Sequence, residues 1–337
     1  MTMTRKAAIV VSDYYQNNNL FKRNDPAYDR DDCLYCFSRL REKLGAAGIE
    51  LNTSDISKVS DAEIVIYNDM PRELPEKLPG QKFYLLALES IAIHPANFEV
   101  ARYGSFDKVF TWYDNIVDRD KVVKVNYAFL FKTDFDLSGG NKNKLVCLMA
   151  NNKRSSHPGE LYTTRKKAIA WFEAHHPEDF DLFGQGWDLL FAGTKLAGVI
   201  RRLGLKRFFR RNLHACYRGI AQEKLPVVSR YRFSLCFENV RDIPGYITEK
   251  IFDCFFAGCV PVYLGANNVT DYIPSDCFID MRRFKDFAAL YQHLVAMSNH
   301  EYLGYLQRIK GFLTSEASYA FTGDYFADTV ARGIAGE

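Results

Sequence analysis

The sequence predicts an α/β protein built from two doubly wound parallel sheets. The chain has 337 residues, about twice the length of one ordinary domain. Short apolar runs alternate with amphipathic segments along it, which is the pattern of parallel strands covered by helices on both faces. A polar stretch at residues 132–143, containing Gly139 and Gly140, separates two such series. Hydrophobic residues make up 47% of the chain, which is enough for two cores.

The first series begins with a strand at residues 6–12, which form a short apolar run. Residues 31–44 carry apolar side chains at positions 34, 37, 40 and 44 and meet Gly45, so we predict a helix there. Further buried strands are predicted at residues 63–67, 82–88 and 108–112. These elements form the first domain, which we place at residues 1–138.

The second series begins with a strand at residues 144–150 and forms a domain at residues 139–315. Its other predicted elements are strands near Phe180 and at 231–237, 260–265 and 278–280, and helices at 159–175, 248–258 and 283–298. Residues 316–337 are helical in pattern and are expected to cross back and brace the first domain. Because open parallel sheets bind ligands beyond the carboxyl ends of their strands, two such domains facing each other would form a cleft.

Composition and charge exclude several classes of function. Lys and Arg total 44 against 41 Asp and Glu, so the net charge of +3 gives no sign of nucleic-acid binding. The apolar runs are far shorter than the roughly 18 residues of a membrane span, and the N-terminus lacks the features of a signal peptide. The eight cysteines lie mostly in apolar stretches, as expected of a cytoplasmic protein. The motifs of P-loop NTPases, serine hydrolases, zinc proteases and dinucleotide enzymes are absent from the sequence.

Residues 231–265 are the segment best suited to ligand binding. A predicted strand ends in Glu238 and Asn239, whose polar groups are expected to point into the ligand-binding crevice. Gly245 follows a proline and bends the next loop, and a helix begins soon after it.

The start of that helix favours an anion. Thr248 is placed to cap it, its first turn offers free backbone N–H groups, and Lys250 adds a full positive charge. This combination suits a diphosphate. The alternative from spacing alone is an ordinary capped helix on which Glu249 and Lys250 are solvated.

The same segment resembles the signature of a known family. Phe237-Glu-Asn239, Gly245-Tyr-Ile-Thr-Glu-Lys250 and Gly258-Cys-Val-Pro-Val-Tyr-Leu-Gly265 resemble the motif of the α-1,3/1,4-fucosyltransferases, glycosyltransferase family 10, bacterial type. Shorter matches follow the family's order at Leu88-Glu89-Ser90, 106–113, Asn151-Asn152 with Arg165, and 183–186. The resemblance covers about residues 80–285. It implies the GT-B architecture, with two Rossmann-like domains facing across a cleft, a GDP-fucose donor and inversion at the anomeric carbon.

The resemblance also implies roles for particular residues. Glu89 would be the general base that takes the proton of the acceptor hydroxyl. Arg165 and Lys250 would bind the diphosphate and stabilise the charge on departing GDP. Glu249 would face the sugar or the ribose, either as a catalytic carboxylate that offsets oxocarbenium charge or as a ligand of hydroxyl groups. The remaining members of the donor site would be Glu238, Asn239 and Tyr246.

Two features depart from the family pattern. Val240 stands where the family usually has a small hydroxyl residue. Residues 189–222 form a longer segment than the corresponding part of the family. The segment contains no acidic residue and eight basic ones, namely Lys195, Arg201, Arg202, Lys206, Arg207, Arg210, Arg211 and Arg218. Apolar and aromatic residues interleave with them, so residues 195–218 could lie on an anionic membrane surface. The alternative is a cationic helix pair that packs on its own domain.

No metal site is expected. Asp134 with Asp136, and Asp179 with Asp181, fit the short DxD pattern by which another glycosyltransferase architecture binds a metal. The pattern is short, and the first pair lies in the predicted hinge. His175 and His176 end a helix before a proline and are typical of a C-terminal turn.

The sequence therefore predicts a cytoplasmic enzyme that moves L-fucose from GDP-fucose to a glycan hydroxyl. It is expected either free in the cytoplasm or peripherally bound to the inner face of the cytoplasmic membrane. The expected acceptor is GlcNAc in a lipopolysaccharide or O-antigen type oligosaccharide, in α-1,3 linkage, on a free or lipid-linked glycan. No cofactor and no nucleic acid are expected. The alternatives are a transferase that uses another GDP-sugar and a catalytically silent GDP-sugar- or glycan-binding protein.

Overall fold

A computed structural model describes residues 4–74, 76–140, 142–189, 195–204 and 213–336. The chain divides into two compact units. The first unit contains Met1–Phe131, Ile243–Ile247 and Ser315–Glu337, and the second contains Lys132–Asp242 and Thr248–Thr314. The N-terminal segment of the first unit thus ends at Phe131, whereas the predicted domain boundary lay after residue 138.

The described residues form the following strands and α-helices, numbered in chain order. The strands are β1 (Arg5–Val10), β2 (Ile49–Thr53), β3 (Ile64–Asn68), β4 (Lys82–Ala87), β5 (Lys108–Thr111), β6 (Val122–Lys124), β7 (Lys144–Met149), β8 (Phe180–Phe183), β9 (Tyr231–Phe237), β10 (Val260–Leu264) and β11 (Ile279–Asp280). The helices are α1 (Tyr35–Ala46), α2 (Tyr162–His175), α3 (Lys195–Arg202), α4 (Lys224–Val228), α5 (Glu249–Phe256), α6 (Phe287–Ala296), α7 (Asn299–Leu313) and α8 (Gly323–Ala335).

The first unit contains a six-stranded sheet in the order β2-β1-β3-β4-β5-β6, and all its pairings are parallel. Both faces are covered: Ile9 and Ile66 belong to one hydrophobic core, and Ala8 and Val65 belong to another. Successive residues of one strand thus enter opposite cores, as a doubly wound sheet requires. The sequence prediction of parallel α/β architecture is confirmed here.

Two strands of this sheet were missed. Strand β2 has the sequence IELNT, in which polar residues interrupt the apolar pattern. Its Asn52 is nevertheless buried, because its side chain accepts hydrogen bonds from Asn18 and Arg41. Strand β6 has only three residues and ends in Lys124. Tertiary hydrogen bonding compensates the buried polar group, which the apolar pattern alone does not reveal.

The last helix, α8, packs in the first unit against α1. The Asp324 carboxylate accepts hydrogen bonds from Tyr35 and Arg39, each at 2.8 Å. Gly323 lies so close to α1 that a Cβ there would be 2.4 Å from the Tyr35 ring. The C-terminal segment therefore closes one face of the first sheet, where Phe326 and Val330 enter the core.

The second unit contains a five-stranded parallel sheet in the order β11-β10-β9-β7-β8. Strand β9 occupies its centre, and its predicted bounds are confirmed. Helix α7 was not predicted, because the predicted helix at 283–298 ended at Ser298. Ser298 is in fact the N-cap of α7 and forms a capping box with Glu301.

The basic segment is described in part. Helix α3 carries Lys195, Arg201 and Arg202, whereas Lys206, Arg207, Arg210 and Arg211 lie outside the described residues. Arg218 pairs with Asp181 of its own unit, with Nε 2.6 Å from Oδ1. Val199, Leu203 and Leu213 are exposed. Among the described residues, no helix is both long and apolar enough to cross a bilayer.

Candidate functional site

The carboxyl end of strand β9 is held by Arg165 from the first turn of α2. The guanidinium group donates to the carbonyl oxygens of Phe237 and Glu238, at 2.5 and 2.8 Å, and to Oδ1 of Asn239 at 3.1 Å. Arg165 is only 3% exposed, so it is not a solvated surface charge. The planar fork of an arginine suits this arrangement, because several N–H groups reach acceptors at once. Arg165 and Asn239 are therefore in contact, and their role in binding the donor stays a prediction.

Glu238 does not point into open space, which corrects the expectation that its side chain faces the ligand crevice. The residue is 0% exposed, and its carboxylate accepts hydrogen bonds from the backbone N–H and the hydroxyl of Thr248 at 2.9 and 2.7 Å. Its Oε2 also lies 3.1 Å from Nζ of Lys250. A buried carboxylate needs such partners to remain charged. Glu238 thus acts on the site by positioning Thr248 and Lys250.

Thr248 is the N-cap residue of α5, but its side chain does not cap that helix. Its hydroxyl donates to Glu238 and accepts a hydrogen bond from Lys250 at 2.9 Å. The prediction of a capping side chain was therefore wrong. A capping hydroxyl accepts a hydrogen bond from a backbone N–H of the first turn, whereas here the hydroxyl oxygen accepts from Lys250 and its proton is donated to Glu238.

Lys250 lies in the first turn of α5 with its ammonium group among three oxygens. These are Glu238 Oε2 at 3.1 Å, Thr248 Oγ1 at 2.9 Å and Glu249 Oε1 at 3.2 Å. The ammonium group is thus fixed at the N-terminus of α5, which carries a partial positive charge of its own, and it is paired there with two carboxylates. The alternative of a freely solvated Lys250 does not hold.

Glu249 begins α5, and its side chain is 43% exposed. Partial burial acts to raise its pKa, but the ammonium groups of Lys250 and Lys224 outweigh this and lower the pKa to about 2. The carboxylate is therefore ionised at any pH at which an enzyme normally works. It can offset positive charge or accept hydrogen bonds from hydroxyl groups.

Two residues of this cluster were not predicted. Asp253 follows Glu249 by one helical turn, and Lys224 of α4 lies 2.7 Å from its Oδ2. Burial raises the pKa of Asp253 to about 6, against the opposing effect of Lys224. The spacing of Glu249 and Asp253 signalled that they share a helix face. Nothing in the sequence indicated that Lys224 would join them.

Glu89 is exposed and directly follows Leu88 at the carboxyl end of β4 in the first unit. Its backbone N–H donates to Oδ1 of Asp69 at 2.9 Å, and its carbonyl accepts from Asn97 at 3.1 Å. Asp69 has a φ of +68°, a conformation that only a few non-glycine residues adopt. The loop is therefore shaped to hold the backbone of Glu89 while its side chain faces outward.

Tyr246 belongs to the first unit, whereas Arg165, Asn239, Glu249 and Lys250 belong to the second. It is 1% exposed, and its ring packs on Trp112 with the ring centroids 4.7 Å apart. The ring of Tyr246 is therefore buried within the first unit, and its part in a nucleotide pocket stays a prediction.

The acidic pairs that fit the DxD pattern are bonded within the protein. Asp181 accepts hydrogen bonds from Arg218 and Tyr231, and Asp136 accepts one from the backbone of Ser138. Within the described residues, three side chains come close enough to hold a cation, namely His176, Glu178 and Asp179. None of them belongs to the clusters around Lys250 and Glu89.

The fold and these clusters define a class of protein. Two parallel sheets carry polar residues at the carboxyl ends of β4 and β9, and the second sheet adds a cationic helix start. This is the organisation of two-domain α/β enzymes that bind nucleotides.

Comparison with known proteins gives the family. Residues 140–320 match the family model described as "Glycosyltransferase family 10 (fucosyltransferase) C-term". The Mus musculus protein 4-galactosyl-N-acetylglucosaminide 3-alpha-L-fucosyltransferase 9 is 40% identical over 241 residues, which is 69% of this chain and 55% of that protein. Alpha-(1,3)-fucosyltransferase FucT of Helicobacter pylori is 32% identical over 80 residues, which is 24% of this chain and 16% of that protein. A solved alpha1,3-fucosyltransferase with GDP superposes with a TM-score of 0.54 and 13% identity, covering 99% of this chain and 91% of that chain.

The chain belongs to glycosyltransferase family 10, the fucosyltransferases, and it has the GT-B fold. It spans about half the length of the curated relatives it matches, 55% of the first of them.

Proposed function

We propose that this protein transfers L-fucose from GDP-fucose to a hydroxyl group of a glycan, with inversion at the anomeric carbon. The observation that carries the proposal is the arrangement around Lys250. The start of α5 carries Lys250, which buried Glu238 holds in place, and it lies beside a strand end that Arg165 and Asn239 brace. Family membership supports fucose as the sugar, and the GDP-bound structural relative supports the nucleotide.

In the proposed reaction, the acceptor oxygen attacks C1 of fucose as the bond from C1 to the phosphate oxygen breaks. The Glu89 carboxylate takes the proton of the acceptor hydroxyl, and GDP leaves with the bonding electrons. Overall, GDP-fucose and an alcohol give the fucoside, GDP and a proton. Because attack comes from the face opposite the leaving group, the configuration inverts.

The second unit would stabilise the leaving group. Negative charge grows on GDP as the bond breaks, and Lys250, Arg165 and the first-turn N–H groups of α5 would offset it, with Asn239 as a further donor contact. We also propose Tyr246, of the first unit, as a donor contact. Ionised Glu249 would lie beside the sugar or the ribose, where it opposes positive charge on the ring or binds hydroxyl groups. These groups do not depend on a divalent metal, so we propose that none is required.

We propose GlcNAc as the acceptor, in α-1,3 linkage, within a lipopolysaccharide or O-antigen type oligosaccharide. The mouse and Helicobacter pylori relatives are named as 3-fucosyltransferases, which supports the linkage. We place the enzyme in the cytoplasm, with the basic segment 195–218 on the inner face of the membrane. The exposed Val199, Leu203 and Leu213 favour such a contact, while the pairing of Arg218 with Asp181 favours packing within the unit.

Thermal unfolding with GDP, UDP and ADP tests the donor. GDP alone is expected to raise the melting temperature, because a ligand that binds only the folded state stabilises it. Equal stabilisation by UDP would remove the guanosine assignment. Other GDP-sugars, supplied one at a time with the acceptor, test the alternative donor.

Transfer of labelled fucose to an array of glycan acceptors tests the reaction and the linkage. Glu89→Gln is expected to lower turnover by about 10²–10⁴-fold and to keep the response to GDP. Glu99→Gln, at an exposed glutamate of the same unit, is the matched control. A fully active Glu89→Gln variant would move the base elsewhere, and a wild type that binds GDP without transfer would favour a silent binding protein. Excess EDTA is expected to leave the rate unchanged.

Co-sedimentation with anionic liposomes tests the membrane contact, and no binding at low salt would leave only packing of the basic segment within its own unit.

A further inference from the structure

The peptide group that joins Leu88 to Glu89 is held at both of its polar atoms. The Leu88 carbonyl oxygen accepts hydrogen bonds from Trp112 Nε1 at 2.5 Å and from the Tyr127 hydroxyl at 2.6 Å. The Glu89 N–H on the same peptide group donates to Asp69 at 2.9 Å. Because a peptide group is planar, these three bonds determine its orientation and thereby the direction in which the Glu89 side chain leaves the backbone.

The two donors to Leu88 pack against a third aromatic ring, that of Tyr246. Its centroid lies 4.7 Å from that of Trp112 and 6.1 Å from that of Tyr127. Trp112 and Tyr127 themselves stack at 6.4 Å. We call these three side chains the aromatic cluster. Tyr246 and Trp112 are each only 1% exposed, so a change in the Tyr246 ring leaves space into which the donors can move.

Gly245, the residue before Tyr246, allows the loop backbone to contact Trp112 closely. Gly245 has a φ of +81°, and a Cβ there would lie 2.2 Å from the Trp112 carbonyl oxygen and 2.8 Å from Nζ of Lys124. Lys124 donates to that same carbonyl oxygen at 2.6 Å and pairs with Asp114. The backbone of the loop therefore approaches Trp112 as closely as only glycine allows.

We propose that Tyr246 is a positioning residue for Glu89, acting through Trp112 and Tyr127. This inference rests on the proposed function, in which Glu89 is the general base. A base must lie within hydrogen-bond distance of the proton it takes, and a misplacement of about 1 Å costs about 10²-fold in rate. The held peptide group beneath Glu89 fixes the backbone at this residue and so helps to place its carboxylate. This role is separate from the donor contact proposed for Tyr246.

Steady-state kinetics of Tyr246→Leu and Tyr246→Phe test the proposal. Removal of the ring in Tyr246→Leu is expected to lower kcat by about ten- to a hundredfold. Tyr246→Phe keeps the ring, so its loss of kcat is expected to be about tenfold smaller than that of Tyr246→Leu, while its KM for GDP-fucose reports on the hydroxyl that is proposed to contact the donor. Trp112→Phe with Tyr127→Phe removes both donors to Leu88 and is expected to match the loss in Tyr246→Leu. An unchanged kcat in Tyr246→Leu would overturn the proposal.

Amide hydrogen exchange supplies a readout that does not need turnover. The Glu89 amide is expected to exchange faster in Tyr246→Leu than in wild type or Tyr246→Phe, and slow exchange in all three would overturn the proposal even if wild type transfers no fucose. Far-UV circular dichroism and a cooperative thermal transition without ligand show that each variant is folded. The control is Tyr84→Phe, which removes a hydrogen bond from β4 to Ile334 in the same unit and is expected to leave kcat and exchange at Glu89 unchanged.

Discussion

The buried carboxylate of Glu238 holds Thr248 twice, through the backbone N–H at 2.9 Å and through the hydroxyl at 2.7 Å. This contact joins the last residues of β9 to the start of α5. The same carboxylate lies 3.1 Å from Lys250, so one glutamate arranges both residues of the helix start. The charge at this point of the fold is therefore built from a side chain that solvent does not reach.

Glu238→Gln is expected to lower the free energy of unfolding by about 3 kcal/mol, because Lys250 loses the buried partner of its charge. Urea denaturation measures this. The matched control is Glu63→Gln, which breaks the exposed pair with Arg5 and is expected to cost less than about 0.5 kcal/mol. Equal effects of the two variants would show that the buried pair contributes no more than an exposed one.

Arg165→Lys is expected to abolish or strongly reduce the stabilisation by GDP and to lower the melting temperature without ligand. A lysine keeps the charge but cannot reach the Phe237 and Glu238 carbonyls and the Asn239 amide at once. Differential scanning calorimetry with and without GDP separates the two effects. Lys167→Ala, at an exposed position of the same helix, serves as control. A full response to GDP in Arg165→Lys would mean that charge alone suffices.

Asp253 is expected to make the protein less stable as pH rises from about 4 to about 6. Its pKa is raised in the folded protein to about 6, mainly by burial, from 3.8, so the folded state binds more protons than the unfolded state in this window. The effect of Glu249 on the free energy of unfolding has the opposite sign. Its pKa is lowered to about 2, so its stabilising contribution is present above about pH 4.5 and is lost as pH falls through about 2. Asp253→Asn is expected to remove a decline of up to about 3 kcal/mol between pH 4 and 6 in urea unfolding. An unchanged slope would show that Asp253 ionises normally.

Gly245→Ala is expected to destabilise the protein by at least about 2 kcal/mol, because the added methyl group meets the Trp112 carbonyl oxygen and the backbone lies in the left-handed region. Thermal unfolding measures the loss. Gly311→Ala is the control: it lies in α7, where a Cβ meets nothing within 4 Å, and it is expected to be neutral or slightly stabilising. Equal melting temperatures of the two variants would show that the loop moves away from Trp112 without cost.

Sequence patterns predicted much of this fold because its buried strands are continuous apolar runs. Strand β9 was predicted with the bounds the structure has, since both its faces are covered. The pattern failed at β2, where a buried Asn52 is compensated by side chains from elsewhere in the chain. The residues of the candidate site also differ in how far the sequence predicted them. Lys250 and Asn239 lie in a recognisable sequence motif, whereas Lys224 lies in none.

The sequence by itself determined the class of fold, the family resemblance and the identity of the groups that carry charge, because these follow from residue types and their spacing along one chain. Only the tertiary structure decided what those groups touch. It turned Glu238 inward to Thr248 and Lys250, buried Arg165 against the end of β9, and packed Tyr246 on Trp112 near Glu89. Such contacts join residues far apart in the sequence, and their geometry depends on how the strands and helices pack, which no local pattern records.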